Sequence, residues 1–168
     1  MFLKNYTSEV PTSQTVYRIE QVLIKCGAAG ISKEYASTAG EISAVSFAIE
    51  TPNGKVSIRL PVDVESAWQA LWLDYVDGDK LNEKGDAIQY YSSRKKKRKI
   101  DFKEQAQRTA WKIVQDWVEV QMSMIQLKQA DTLQVFLPYV ITSTGETMYK
   151  RITNAGGNML GLLPERCE

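Results

Sequence analysis

The sequence predicts an α+β protein: a small antiparallel sheet of three or more strands packed against helices, with one long helix as its spine. Two observations carry this. Between Val45 and Val62 apolar and polar residues alternate on both sides of a proline- and glycine-containing turn, which is the pattern of a hairpin. From Asp101 to Leu127 apolar residues recur at spacings of four and three, which is the pattern of an amphipathic helix. The length of 168 residues allows one domain. The reading is an arm over residues 1–12, a domain over 13–152 and a tail over 153–168.

Met1 to Thr12 reads as an extended or loose arm. A first helix follows over about Ser13 to Cys26, with Val16, Ile19 and Leu23 on its apolar face and Gly27 ending it. Ile31 to Tyr35 is a first strand, and Ser37 to Gly40 is a turn by composition. Val45, Phe47 and Ile49 alternate with Ser46 and Ala48, as in a half-buried strand. Thr51-Pro52-Asn53-Gly54 then makes a tight turn. Val56, Ile58, Leu60 and Val62 return, with Lys55 and Arg59 on the outer face.

Asp63 is an N-cap for a second helix reaching Tyr75, with Ser66 three residues on. Ala67, Trp68, Leu71, Trp72 and Tyr75 supply its buried side. Residues 77–100 show no period and read as a mobile loop, acidic at first and basic at the end. After the long helix, Asp131 begins a short turn or helix. Val135 to Ile141 is apolar, Thr144-Gly145 reverses the chain, and Thr147 to Ile152 reads as a returning strand.

In the long helix Asp101 and Glu104 form a capping-box-like start. Ala106, Ala110, Ile113, Trp117, Val120, Met124 and Leu127 form the apolar stripe, widened by Trp111, Val114, Val118 and Ile125. Gln107, Gln115, Asp116, Glu119, Ser123 and Gln126 are left for the wet side. The stripe reads as core; the competing reading is a coiled-coil seam with a second copy, which makes a homodimer the alternative state.

Net charge is only +1, but it is unevenly placed. Asp74, Asp77, Asp79, Glu83 and Asp86 are followed closely by six consecutive cations: Arg94, Lys95, Lys96, Lys97, Arg98 and Lys99. Such a run repels itself and resists burial. Facing a phosphate backbone it releases counterions and binds with strong salt dependence. Lys103 and Arg108 extend the positive charge into the helix, and Tyr90 and Tyr91 offer rings on which bases stack. The competing reading is a solvated loop, or one folded back on the acidic stretch.

Catalytic chemistry is poorly provided for. The chain has no histidine, so an ordinary serine triad cannot be assembled and the commonest metal ligand is missing. Its two cysteines, Cys26 and Cys167, show no metal-ligand spacing. Asp116 and Glu119, three apart on a helix, read as a solvated face. Asn154-Ala155-Gly156-Gly157 lacks the lysine and following helix of a phosphate loop. No cofactor, metal or catalytic residue is expected. Nor does any signal peptide or membrane-spanning run stand out.

The run Glu104-Gln105-Ala106, Arg108-Thr109-Ala110-Trp111, Trp117 and Gln121, with Val135-Phe136-Leu137-Pro138-Tyr139, resembles a family of small phage and prophage proteins without an assigned reaction. The likeness spans Gln14 to Tyr139 and includes Leu60-Pro61-Val62 at the end of the strand group. It implies a phage origin and a bacterial cytoplasm, and brings no catalytic residues. The order helix, three strands, helix also resembles double-stranded RNA-binding domains, in topology alone. Together these readings point to a non-enzymatic accessory protein that binds DNA or RNA with little regard to sequence. It would act in replication, recombination or genome control. The alternative is an inhibitor of a host defence or nucleic-acid-processing complex.

Overall fold

The computed structural model describes residues 3–36, 40–52, 54–78 and 97–154. Helix α1 spans Thr12–Lys25. Strands β1 (Gly30–Tyr35), β2 (Ile42–Thr51) and β3 (Gly54–Arg59) follow. Helix α2 spans Val64–Gly78 and the long helix α3 spans Lys103–Gln126. Short helices α4 (Thr132–Phe136) and α5 (Met148–Asn154) complete the described chain. The sheet is antiparallel in the order β1-β2-β3, so the fold is α+β as the hairpin and helix patterns predict. No described helix is long and apolar enough to cross a membrane.

Contacts divide the chain into two compact units. Met1–Ile19 with Val62–Glu119 forms one, and Glu20–Pro61 with Val120–Glu168 the other. The division therefore falls inside α1 and α3.

In the second unit, α1 ends as its glycine predicts. Gly27 takes φ +87, its N–H reaches the Ile24 carbonyl at 3.0 Å, and the Ala28 N–H reaches Leu23 at 3.0 Å. These two bonds satisfy carbonyls that the helix itself leaves open. The hairpin also forms about the predicted turn, with Phe47 opposite Ile58 and Thr51 opposite Gly54. Gly54 sits at φ +116, a conformation that disfavours side chains with a Cβ. The middle of β2 is covered on both faces, however: Ala44, Val45, Ser46 and Phe47 are all buried. Strict alternation predicted only one covered face. Phe136 meets Phe47 edge-to-face, with ring centroids 5.3 Å apart at 83°.

Beyond α4 the chain turns through Leu137–Tyr139 and makes single bridges, Ile58 to Val140 and Ile141 to Thr147. The predicted returning strand over Thr147 to Ile152 is corrected. Only Thr147 pairs, and α5 starts at once, with the Thr147 hydroxyl accepting the Lys150 N–H at 3.4 Å. A threonine ahead of a helix competes well for such free amides.

In the first unit Asp63 caps α2. Its carboxylate accepts the Ser66 N–H at 2.9 Å and the Ser66 hydroxyl at 2.6 Å. The hydroxyl first, then the amide, hold its pKa below the usual carboxylate value. Ala67 and Leu71 of α2 pack with Ala106 and Ala110 of α3, joined by Leu3, Val62, Val64, Trp68 and Phe102. The N-terminal arm is not loose. Gln105 Nε2 donates to the carbonyls of Tyr6 and Ser8 at 2.8 and 3.0 Å, and Thr109 Oγ1 donates to Asn5 at 3.3 Å.

The buried line of α3 follows the residues predicted to widen the stripe, Trp111, Val114 and Val118, more than its predicted centre. Ala106, Ala110, Val114, Val118 and Met122 are buried, with Thr109, Trp111 and Gln115 beside them. Val120 and Leu127 are exposed. Ile113, Trp117 and Met124 are half-buried. Both lines pass through Ala106 and Ala110. Uniform steps of four advance about 40° around the helix each time, whereas alternating fours and threes stay near one meridian. Gln115, predicted to be wet, is buried, and its amide is satisfied there, the oxygen accepting from Lys112 Nζ at 3.2 Å and the nitrogen donating to Glu119 at 2.6 Å.

Candidate nucleic-acid interface

Of the ten residues the sequence singles out, Tyr90, Tyr91, Arg94, Lys95 and Lys96 lie outside the described residues. The remaining five are Lys97, Arg98, Lys99, Lys103 and Arg108, all in the first unit.

The end of the basic run is moulded onto α2. Trp68 and Trp72 are four apart, and Tyr75 three further, so they share one face of that helix. Trp68 Nε1 donates to the Lys99 carbonyl at 2.6 Å. The Lys99 ammonium lies 4.5 Å from the centroid of the Trp68 ring, donates to Gln69 Oε1 at 2.7 Å and pairs with Glu65 at 3.6 Å. Six equal, solvated cations were predicted. Lys99 departs from this: it is half-buried and committed to α2, because an indole face and two polar side chains replace much of its hydration.

Lys97 and Arg98 are exposed. The Lys97 backbone N–H donates to the Tyr75 hydroxyl at 3.2 Å, and its ammonium stands 5.4 Å from the centroid of Phe102. Arg98 leaves 80% of its side chain open and meets Asp101 only at 3.5 Å. A short 3-10 turn, Lys99–Phe102, follows. Asp101 faces backward in it, its carboxylate accepting the Arg98 N–H at 2.7 Å. That bond, ahead of burial acting the other way and the nearby Arg98 charge, keeps the Asp101 pKa below its ordinary value. Asp101 thus caps this turn rather than the long helix, which begins at Lys103, one residue later than a cap at Asp101 predicts.

Lys103 is half-buried in the first turn of α3. Arg108 is paired with Glu104 one helical turn before it, so its charge is largely offset. The structure therefore brings together Lys97, Arg98 and Lys99, and leaves Arg108 to its own helix.

Beneath Lys97 is a cluster that charge patterning alone did not identify. Trp72, Tyr75 and Phe102 are half-buried, with centroids 5.9 Å apart for Trp72–Tyr75, 6.2 Å for Trp72–Phe102 and 5.1 Å for Tyr75–Phe102. The spacing of Trp68, Trp72 and Tyr75 gave the shared face; that Phe102 folds back onto it depends on the chain between.

Elsewhere, the second unit carries an open hollow of about 660 Å³ lined by Cys26, Ile49, Glu50, Thr51, Asp131 and Leu133, among others. Among the described residues no three His, Cys, Asp or Glu side chains gather as metal ligands would. Asp116 pairs with Lys112, as their spacing of four on the helix allows, but it is not simply part of a solvated acidic face, since Lys4 and Asn5 also bond to it. Comparison of the chain with known protein families, with curated proteins and with solved structures finds no match.

Proposed function

We propose that this protein is a non-enzymatic, sequence-tolerant nucleic-acid-binding accessory protein, phage-encoded and acting on a genome in the bacterial cytoplasm. The observation that carries the reading is the division of labour in the basic run. Lys99 anchors the segment to α2, while Lys97 and Arg98, next to it, face solvent. Cations held at a fixed root but open at their tips suit phosphate contact, which positions a ligand without reading bases.

The test is salt-dependent binding to DNA and RNA, single- and double-stranded. If four to six phosphates are neutralised, log K against log salt on duplex DNA has a slope of about −4 to −5. Replacing Lys95, Lys96, Lys97 and Arg98 by serine flattens that slope and is expected to leave the melting temperature in place, since exposed charges such as those of Lys97 and Arg98 contribute little to stability. Absence of binding at low salt, or binding indifferent to the replacement, overturns the reading. It would then favour an acidic protein surface as the target, as an inhibitor of a host complex requires.

A further inference from the structure

We infer that the Trp72–Tyr75–Phe102 cluster, with Lys97 and Arg98 beside it, is a stacking site for the unpaired bases of a single-stranded nucleic acid. The inference rests on the nucleic-acid reading above and narrows it to one strand class.

Three features support it. The rings are half-buried, so each keeps part of its surface open to solvent. Phe102 packs against the core formed by Ala67, Leu71, Ala106 and Ala110, so one ring of the cluster is backed by buried side chains. Cations lie at the same place: the Lys97 ammonium stands 5.4 Å from the Phe102 centroid, and Arg98 is open to solvent one residue on. A single strand presents both phosphates and free base faces, and binding sites for it combine a cationic track with aromatic rings. A duplex offers the phosphates but keeps its base faces stacked inside. Charge complementarity accounts for attraction to either; the rings add something only a single strand can use.

The discriminating experiment uses the unaltered protein and three ligands of equal length at one salt concentration: oligo-dT, an abasic sugar-phosphate strand, and duplex DNA. Oligo-dT is expected to bind roughly tenfold or more tighter than the abasic strand, the scale of at least one stacked base. Trp72→Leu, checked for folding by its melting curve, is expected to weaken oligo-dT binding by that factor and leave duplex binding and its salt slope unchanged. Equal affinity for oligo-dT and the abasic strand overturns the inference while leaving the electrostatic reading standing. So does an equal loss on duplex and single strand from a folded Trp72→Leu. Failure of all three ligands to bind at low salt overturns both. Should Trp72→Leu not fold, the comparison of oligo-dT with the abasic strand decides alone.

Discussion

Asn5 and Asp116, 111 residues apart in sequence, are joined by a 3.0 Å hydrogen bond from the Asn5 side-chain amide to the Asp116 carboxylate. Asn5 holds a left-handed backbone, φ +63, to reach it. Lys4 and Lys112 close on the same carboxylate at 2.8 and 3.0 Å. Burial alone would raise the Asp116 pKa, but the bonds from Lys4, Asn5 and Lys112 outweigh it and lower it to about 2.

That shift fixes a sign. A carboxyl with a folded pKa below its unfolded value stabilises the protein fully above the unfolded pKa, and loses the contribution as pH falls toward the folded one. The window here is roughly pH 4 down to pH 2, and the contribution at neutral pH is at most about 2.5 kcal/mol. Denaturant midpoints measured between pH 2 and pH 6 should show this loss in the native protein. Asp116→Asn should be less stable at neutral pH and show a shallower fall across the window. Parallel pH curves for the two would remove Asp116 as the clasp of the N-terminal arm.

Lys99 and Trp68 should behave as structural residues despite one belonging to the basic run. Lys99→Ser loses the ring contact and the bond to Gln69. A cation–π contact of this kind contributes about 0.5–1 kcal/mol. Trp68→Phe removes the donor to the Lys99 carbonyl, at a cost of about 1 kcal/mol. Both should lower the unfolding midpoint. Arg98→Ser should not, because its side chain is largely solvated. A Lys99→Ser protein of native stability would show the anchor to be idle.

The end of α3 offers a stabilising change. Lys128 occupies φ +55, with its N–H on Ile125 and the Gln129 N–H on Met124, both at 3.0 Å. This is the same closure that Gly27 gives α1, but with a side chain in the left-handed region, which costs an L-residue roughly 1 kcal/mol. Lys128→Gly should therefore raise stability by about 0.5–1 kcal/mol. Thermal unfolding of the pair reads it directly, and a lower melting temperature for the glycine variant would contradict it.

The two tryptophans of α3 should separate. Trp111 is fully buried, its indole N–H having no hydrogen-bond partner among the described residues, whereas Trp117 is half-buried. Trp111→Ala should cost about 3–5 kcal/mol. Trp117→Ala should cost clearly less. Along the same helix, Met122→Ala should destabilise by about 2 kcal/mol or more, while Leu127→Ala, at a position 68% exposed, should stay within about 0.5 kcal/mol. Reversal of either order, by chemical denaturation, would restore the alternating stripe as the packing face.

The sequence by itself determined those parts of the protein whose cause lies within a few residues. Asp63 and Ser66 specify the start of α2, Gly27 the end of α1, and Thr51 to Gly54 the hairpin and its register, because caps and tight turns are bonds between near neighbours. The exposure of Lys97 and Arg98 was legible for the same reason: like charges in a row seek water. Tertiary structure decided the rest. Which of two lines on α3 is buried depends on what lies against the helix, and both lines contain Ala106 and Ala110. Asp116 is a clasp rather than a wet carboxylate only because Lys4 and Asn5 come back to it. Lys99 differs from Arg98 because the Trp68 ring is beneath it, and Phe102 joins Trp72 and Tyr75 although it is far from them in the chain. Each of these outcomes is a contact between residues far apart in the chain. Periodicity and charge order carry information about a residue's own helix or turn, and none about the distant partner that finally covers or pairs it.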